Sequence, residues 1–169
     1  PGTGTSSAGN YNLYGFGNTY LSSPYNSQNV LFTKYNKNGI IQFQKASPEL
    51  TYSGLSIAVD SSENVYFFGP GSGTYSGYLI KFNSSGTLLW KNYLSLYSSY
   101  ISTSYNAMIL DNSENIIISG YRSSITCPTT ISASSHLVSV SPSGTINWQV
   151  KYQGGSTYSA VVQDGTYVY

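Results

Sequence analysis

IAVDSSENVYFFG at residues 57–69 and ILDNSENIIISG at residues 109–120 are two copies of one phrase. In both copies a Glu follows the Asp by three residues, an Asn follows the Glu, and a Gly ends the apolar run. The residues Asp60 and Asp111 are 51 positions apart, and so are Gly69 and Gly120. A fixed recurrence at this length is typical of repeat proteins, in which each repeat is one supersecondary unit.

Weaker copies flank this pair, NLYGFG at 12–17 and VQDGTYVY at 162–169. The glycine Gly17 precedes Gly69 by 52 residues, close to the same period. The chain therefore divides into units at about 10–54, 55–105 and 106–162, with the start of a further unit at 163–169.

A second phrase recurs as KYNKNGIIQF (34–43), KFNSSGTLLW (81–90) and VSPSGTINW (140–148). In each copy a turn glycine, which supplies the positive φ of a tight hairpin, stands four residues before a large aromatic residue. A ring at this spacing can fold back between adjacent sheets and bury on the order of 150–250 Å². We expect Trp90 and Trp148 to be largely buried in this way. The residues of this structural motif are Gly39, Phe43, Gly86, Trp90, Gly144 and Trp148.

Short apolar runs bounded by Gly, Asn, Asp and Ser predict four antiparallel strands in each unit. In the middle unit the strands fall at about 55–59, 64–69, 78–83 and 87–93. No segment keeps an apolar stripe at helical period, so we expect no α-helix. The predicted fold class is all-β, with about three repeats of a four-stranded antiparallel sheet that form β-propeller blades. The rival is a β-sandwich, which gives no reason for one turn phrase to recur at fixed spacing.

The two phrases together resemble a β-propeller repeat family of bacteria and archaea. Its repeat reads Asp-Ser-x-Gly-Asn-x-Tyr-x-x-Gly, followed by a strand that ends in Lys and a turn that ends in Gly-x-x-x-Trp. Residues 60–69 and 78–90 match this pattern, with departures at Glu63 and Glu114, where the family often has Gly, and at Phe43, where Trp is more usual. The turn is also similar to the tryptophan-docking motif of quinoprotein-like propellers. The resemblance implies propeller architecture, and its members are commonly secreted or cell-surface proteins.

Propellers typically have about four to eight blades, so three units are too few for a ring. The pattern also begins within a second strand at 12–17 and stops within another at 166–169. We therefore expect these residues to be part of a larger propeller, completed by another part of the polypeptide or by neighbouring subunits.

Composition limits the classes of partner. Only 8% of residues are charged, the net charge is +1, and 18 residues are Tyr. Without a basic patch the chain lacks the electrostatic footprint that nucleic acid requires. No run approaches the ~18 apolar residues of a membrane-spanning helix. The single cysteine, Cys127, cannot form an internal disulfide, and a small loop residue and an intermolecular bridge both stay open.

The long connections predicted at one end of the blades are rich in Tyr, Ser, Thr and Gly. They fall at 17–29, 45–54, 69–77, 93–106, 120–135 and 152–159. This composition resembles that of a paratope, in which Tyr provides contact area and a hydroxyl group. An equally good interpretation is that a low-charge protein uses Tyr where others use charged residues. The candidate ligand-binding residues are Tyr52, Tyr75, Tyr97, Tyr100, Tyr105, Tyr121 and Tyr158.

Most acidic residues fall in predicted turns between first and second strands: Asp60, Glu63, Asp111, Glu114 and Asp164. A Ca²⁺ site needs about six to eight oxygen ligands, and each turn offers only two carboxylates. The favoured interpretation is that each Asp accepts hydrogen bonds from its own turn, so no metal or other cofactor is predicted.

Two further residues bear on function. The only histidine, His136, is placed near the start of a strand, with no Ser-His-Asp or Cys-His arrangement around it. A partly buried structural role is therefore favoured. The side chain of Asn83 is a glycosylation candidate, because Asn83-Ser84-Ser85 forms a sequon on a turn.

Two functions compete. The first is a non-enzymatic scaffold or binding module on an extracellular, cell or virion surface, for example an adhesin or an appendage or envelope component. Its partners would be a glycan, a surface protein or neighbouring subunits. The alternative is a fragment of a propeller enzyme, either a glycan hydrolase or lyase or a quinoprotein-like enzyme. A glycosidase needs two carboxyl groups about 5–10 Å apart, whereas the acids here lie in turns, so the first function is favoured.

Overall fold

The computed structural model describes residues 4–7, 13–20, 28–36, 38–47, 56–70, 77–94, 101–126 and 130–153. All regular structure in these ranges is β, and no helix occurs among them. The strands are β1 Gly4–Ser7, β2 Leu13–Tyr20, β3 Gln28–Tyr35, β4 Ile41–Ser47, β5 Ser56–Val59, β6 Val65–Pro70, β7 Gly77–Phe82, β8 Leu88–Leu94, β9 Ile101–Leu110, β10 Ile116–Thr126, β11 Thr130–Val140 and β12 Ile146–Gln153.

The strands form three four-stranded sheets, β1-β2-β3-β4, β5-β6-β7-β8 and β9-β10-β11-β12, in each of which neighbours in sequence are neighbours in space. The all-β fold class is therefore confirmed, and the strands of the middle sheet agree with the predicted ones to within one residue. The chain divides into two compact units, one of Pro1–Gly69 with Leu79–Asn92 and one of Pro70–Tyr78 with Tyr93–Tyr169.

The expectation that the pattern begins within a second strand is wrong. The strand β1 precedes β2 and pairs with it antiparallel, with Gly4 opposite Phe16 and Ser7 opposite Leu13. Small polar residues make up β1, so it carries no apolar alternation by which a strand is recognised in sequence. The strand predicted at 166–169 lies outside the described residues.

The turns share one construction. In four of them a side-chain Oδ1 atom accepts hydrogen bonds from the backbone N–H groups two and four residues later, with Asn36, Asp60, Asn83 and Asp111 as the acceptors. In the fifth, Ser141 Oγ accepts from the N–H of Thr145. These bonds satisfy turn amides that would otherwise face water or lie unpaired. The predicted local role of the two aspartates is thus confirmed.

The residues with positive φ lie in the hairpin turns of the repeat. As predicted, the turn glycines have positive φ, at Gly39 (76°), Gly86 (74°) and Gly144 (90°). The turns before β6 and β10 instead place Glu63 (φ 60°) and Glu114 (φ 61°) in this region. These are the positions at which the resembled repeat often has Gly, and a non-glycine residue there costs roughly 1–2 kcal/mol.

A β-bulge precedes the aromatic residue in two of the sheets. In the first sheet Lys34 lies opposite Phe43 and Tyr35 opposite Ile41, so Gln42 is the additional residue. In the third sheet the shift between Ser139 and Val140 makes Asn147 the additional residue before Trp148. A bulge changes the direction of the side chains that follow it, so both bulges set the orientation of the aromatic ring.

The core of the first compact unit is a cluster of phenylalanine rings from two sheets. The ring of Phe32 lies 5.0 Å from that of Phe67, edge to face, and 5.3 Å from that of Phe82. All three side chains are buried. In the second unit the buried aliphatic residues include Ile116, Ile117, Ile118, Val138 and Val140, and the polar residues Ser119, Ser135, His136 and Ser139 are buried as well.

The expectation that both tryptophans are largely buried is wrong for Trp148, which is 41% exposed. Its strand, β12, is the edge of the third sheet, and residues 146–152 are all exposed. The ring of Trp90 is partly buried, and its centroid lies 6.1 Å from that of Tyr66.

No helix in the described ranges is long and apolar enough to cross a membrane.

Truncation of Phe67 tests the shared core. Phe67→Ala removes a fully buried ring that contacts Phe32 and Phe82. We expect the free energy of unfolding to fall by roughly 3–5 kcal/mol in urea denaturation. The control is Leu89→Ala at a side chain that is 50% exposed, where a loss within about 0.5 kcal/mol is expected. Equal losses for the two variants would contradict the assignment of the core.

Candidate functional site

The structure separates the predicted ligand-binding tyrosines into two groups. The residues Tyr105 and Tyr121 lie in β9 and β10, opposite Gly120 and Ser104 respectively, so their placement in loops is wrong. Tyr and Thr have high strand propensity, and here that propensity outweighs the loop-like composition of the segment. The other candidates lie outside the described residues: Tyr52, Tyr75, Tyr97, Tyr100 and Tyr158.

A close contact in the first compact unit joins the edge strand of the first sheet to a turn of the second. The Gly86 backbone approaches the ring of Phe43 so closely that a Cβ atom at Gly86 would lie 2.9 Å from Phe43 Cε2. An approach of this kind requires glycine, because no other residue lacks the Cβ atom. The Phe43 ring also packs against the Phe32 ring in a T-shaped arrangement, with the two centroids 5.0 Å apart. We call the contact between Phe43 and the Gly86 turn the filled dock.

Two lysines of the first sheet bind the same region of the second. The ammonium group of Lys45 donates to the backbone oxygens of Ser85 (3.1 Å) and Gly86 (3.2 Å). The ammonium group of Lys34 donates to Glu63 Oε2 at 2.8 Å and lies 3.4 Å from the backbone oxygen of Ser84. The lysines thus satisfy turn carbonyl oxygens and a carboxylate at the rim of the filled dock.

A buried polar cluster surrounds Asp60 in the second sheet. Its Oδ2 atom accepts hydrogen bonds from Asn64 Nδ2 (2.8 Å) and Tyr66 Oη (3.1 Å), and it lies 3.3 Å from Lys81 Nζ. The Lys81 ammonium group also lies 4.7 Å from the centroid of the Tyr66 ring. The Asp60 side chain is 1% exposed, so water provides little of its solvation. The cluster stabilises a buried carboxylate with a cation and several donors.

The pKa of Asp60 reflects this balance. Burial by itself raises the pKa, since it penalises the charged form. The hydrogen bonds from Asn64 and the positive charge of Lys81 outweigh burial and lower the pKa below its ordinary value of 3.8. The carboxylate is therefore ionised at neutral pH and acts as an acceptor, which does not suit a general acid.

The third sheet repeats the turn without the buried cluster. The Asp111 side chain accepts from the backbone N–H groups of Ser113 and Asn115, both at 2.8 Å, and from Asn115 Nδ2 at 2.9 Å. The residues Ile117 and Ser139 occupy the positions of Tyr66 and Lys81 in the repeat. The first repeat has Tyr14 and Lys34 at these positions, so the phenol and the cation are absent from the third repeat and are not unique to the second.

The sequon residue Asn83 lies in the turn of the filled dock. Its Oδ1 atom accepts from the backbone N–H groups of Ser85 (3.1 Å) and Thr87 (2.8 Å) and from Ser85 Oγ (2.8 Å). N-glycosylation would modify Nδ2 and leave this acceptor in place. The geometry is therefore compatible with the glycosylation candidate, which stays a prediction.

The histidine, the cysteine and the acidic residues considered in the sequence do not form one site among the described residues. The histidine His136 lies within β11 opposite Gly120 and is 2% exposed, so it is fully buried and not at the start of its strand. The residues Cys127 and Asp164 lie outside the described residues. In the parts of the chain that the structure describes, no three His, Cys, Asp or Glu side chains form a group that could hold a metal ion.

Sequence reasoning identified the turn glycines and aromatics but missed the lysines. Both Lys34 and Lys81 stand at the ends of their strands, as in the resembled repeat, and this position was the available signal. The partners of Lys45 could not be inferred, because its two acceptors are backbone oxygens 40 and 41 residues away in sequence.

No protein-family model matches the chain, and no curated protein matches it.

Two glycine substitutions isolate the filled dock. Gly86→Ala and Gly39→Ala both place alanine at positive φ, at 74° and 76°. A Cβ atom at Gly86 would meet the Phe43 ring, whereas a Cβ atom at Gly39 would meet no described residue within 4 Å. We expect a cost of roughly 1–2 kcal/mol at Gly39 from backbone strain. At Gly86 a further cost of roughly 1–3 kcal/mol arises from overpacking against Phe43. Urea denaturation measures both, and equal costs would show that the ring does not contact the turn.

A second matched pair tests the Asp60 cluster. Asp60→Asn leaves the Lys81 charge buried without its counter-ion, so we expect a loss of roughly 3 kcal/mol at pH 7. Asp111→Asn keeps the turn acceptor and should cost about 1 kcal/mol or less.

The pH dependence has a defined sign. Because the folded pKa of Asp60 is lowered, its stabilisation is complete above the ordinary value of 3.8 and is lost as the pH falls below it. The stability difference between the wild type and Asp60→Asn should therefore narrow below that pH. A difference that stays constant on acidification would contradict the assigned role.

Proposed function

We propose that this chain is a non-enzymatic β-propeller-type repeat scaffold on an extracellular, cell or virion surface. In the proposal its sheets act as blades and their Tyr-, Ser- and Gly-rich end binds a glycan or a surface protein. One observation carries the architectural part, namely the filled dock between the Phe43 ring of the first sheet and the Gly86 turn of the second.

The filled dock supports a blade arrangement for a physical reason. Propeller blades each present the same face to their neighbour, so the same turn and aromatic must recur in every repeat. The turn glycine and the aromatic recur in all three sequence repeats. In the first compact unit the aromatic of the first sheet, Phe43, contacts the turn glycine of the second sheet, Gly86. In a β-sandwich no contact between a turn glycine and an aromatic ring would have to recur in every repeat.

The ligand-binding part of the proposal rests on the extension of the third sheet. Past Ser119 the strands β9, β10 and β11 continue as a ladder of hydroxyl-bearing and small residues, with Tyr121 paired to Ser104 and Ser135 and Ser124 paired to Ser132. Hydroxyl groups and tyrosine rings suit a glycan, which presents both hydroxyl groups and apolar ring faces. Backbone that is already paired in a sheet also loses less conformational entropy on binding than a loop would.

The proposal is non-enzymatic because three of the described carboxylates have structural partners. The Asp60 and Asp111 carboxylates accept hydrogen bonds from their own turns, and Glu63 pairs with Lys34. A glycosidase needs two carboxyl groups aimed at one bond, and these groups are committed to structure. Low charge and abundant Tyr, Ser and Thr are typical of surface proteins, which supports the proposed location.

Binding to insoluble cellulose, chitin and mannan tests the proposed function. We expect the wild type to co-sediment with at least one of them and Tyr105→Ser and Tyr121→Ser to bind roughly tenfold more weakly, since aromatic anchors dominate such contacts. The control is Tyr93→Ser, at a 53% exposed side chain of β8, which should bind like the wild type. Absence of binding to all three would refute glycan recognition, and release of reducing sugar would favour the enzyme alternative.

A further inference from the structure

The repeat carries two unfilled halves of the same dock. In the first compact unit the Phe43 ring fills the space over Gly86, so one turn and one aromatic are matched. The Gly39 turn is the corresponding turn of the first sheet, and Trp148 is the corresponding aromatic of the third. The Gly39 turn shares the positive-φ glycine of the Gly86 turn, and Trp148 follows a bulge as Phe43 does. The surroundings of each can therefore be compared with those of the filled dock.

The Gly39 turn is built like the docked turn, but no described residue packs over its glycine. Its glycine has φ 76° against 74° at Gly86, and a Cβ atom at Gly39 would have no neighbour within 4 Å. The adjoining residues Ile40 and Ile41 are 59% and 51% exposed. We call Gly39, Ile40 and Ile41 the open turn.

The edge strand β12 offers the complementary half. Trp148 follows a bulge, as Phe43 does, and the exposed residues around it are apolar: Ile146 (39%), Trp148 (41%), Val150 (56%) and Tyr152 (61%). We call these four residues the open edge. An edge strand of this composition exposes both apolar surface and unpaired backbone groups, which favours association.

The open turn and the open edge differ from the filled dock in the residues around the glycine and the aromatic, and these differences make the two surfaces complementary. In the filled dock the edge supplies two ammonium groups, from Lys34 and Lys45. At the corresponding positions of the third sheet stand the uncharged Ser139, in β11, and Val150 of the open edge. The open turn has Ile40 and Ile41 where the docked turn has Thr87 and Leu88. The two ammonium groups of the filled dock are thus absent at these positions, and on the turn side Ile40 replaces the polar Thr87.

We propose that the open edge of one copy of this chain docks on the open turn of a second copy, with Trp148 placed over Gly39 as Phe43 is placed over Gly86. The contact joins two different surfaces, so it is heterologous and leaves one open edge and one open turn at the ends of any complex. Repetition therefore gives a ring or a filament. The inference rests on the repeat architecture of the proposed function and is independent of glycan binding.

Sedimentation velocity at rising protein concentration, combined with two single-site variants, tests the contact. The wild type should form oligomers in a concentration-dependent manner. Trp148→Ser and Ile40→Lys each remove one half of the contact and should weaken association by roughly tenfold or more. Leu89→Lys, at a comparably exposed apolar residue of β8, should assemble like the wild type, and Trp148→Phe should retain assembly because it copies the ring of the filled dock.

Mixing the two defective variants gives the decisive result. A Trp148→Ser chain keeps its open turn and an Ile40→Lys chain keeps its open edge, so a mixture should form a heterodimer and nothing larger. Wild-type chains that stay monomeric would overturn the proposal, and so would a mixture that does not dimerise. A disulfide between Ile40→Cys and Val150→Cys, in a Cys127→Ser background, should join two chains; a disulfide closed within one chain would also overturn it.

Discussion

The absence of a side chain at Gly86 is the constraint on which the packing of the first two sheets depends. With no Cβ atom, the turn lets the Phe43 ring approach its backbone, and the ring in turn meets Phe32 in the shared core. The same glycine must also have positive φ, at 74°, to close its hairpin. Two independent requirements therefore fall on Gly86, whereas among the described residues only the positive φ requires glycine at Gly39.

The chain has few charged residues, and three of its lysines lie at the junction or in the core of the first two sheets. The whole chain of 169 residues has only seven Lys and Arg residues. The Lys45 ammonium group satisfies turn carbonyl oxygens, Lys34 pairs with Glu63, and Lys81 balances buried Asp60. Breaking the buried Lys81–Asp60 pair costs more than forming it contributes, so Lys81 fixes the arrangement more than it adds stability.

The sequence predicts the repeated parts of this structure well and its individual parts poorly. Strand bounds in the middle sheet and positive φ at the turn glycines follow from local patterns that recur. The β1 strand was missed because Gly4–Ser7 has no apolar alternation. The strand positions of Tyr105 and Tyr121 were missed because a hydroxyl-rich segment is compatible with a loop and with a ladder, and only pairing decides between them. The exposure of Trp148 depends on whether another sheet covers β12, and no local pattern contains that information.

A double-mutant cycle between Phe43 and Gly86 tests the central claim most directly. The cycle compares the cost of Gly86→Ala in the wild type with its cost in Phe43→Ala, by urea denaturation. If the ring fills the space over the glycine, its removal should relieve the clash, and Gly86→Ala should then cost only the roughly 1–2 kcal/mol of left-handed backbone strain. Costs that add to within about 0.5 kcal/mol would show that the two residues do not interact, and would contradict the account.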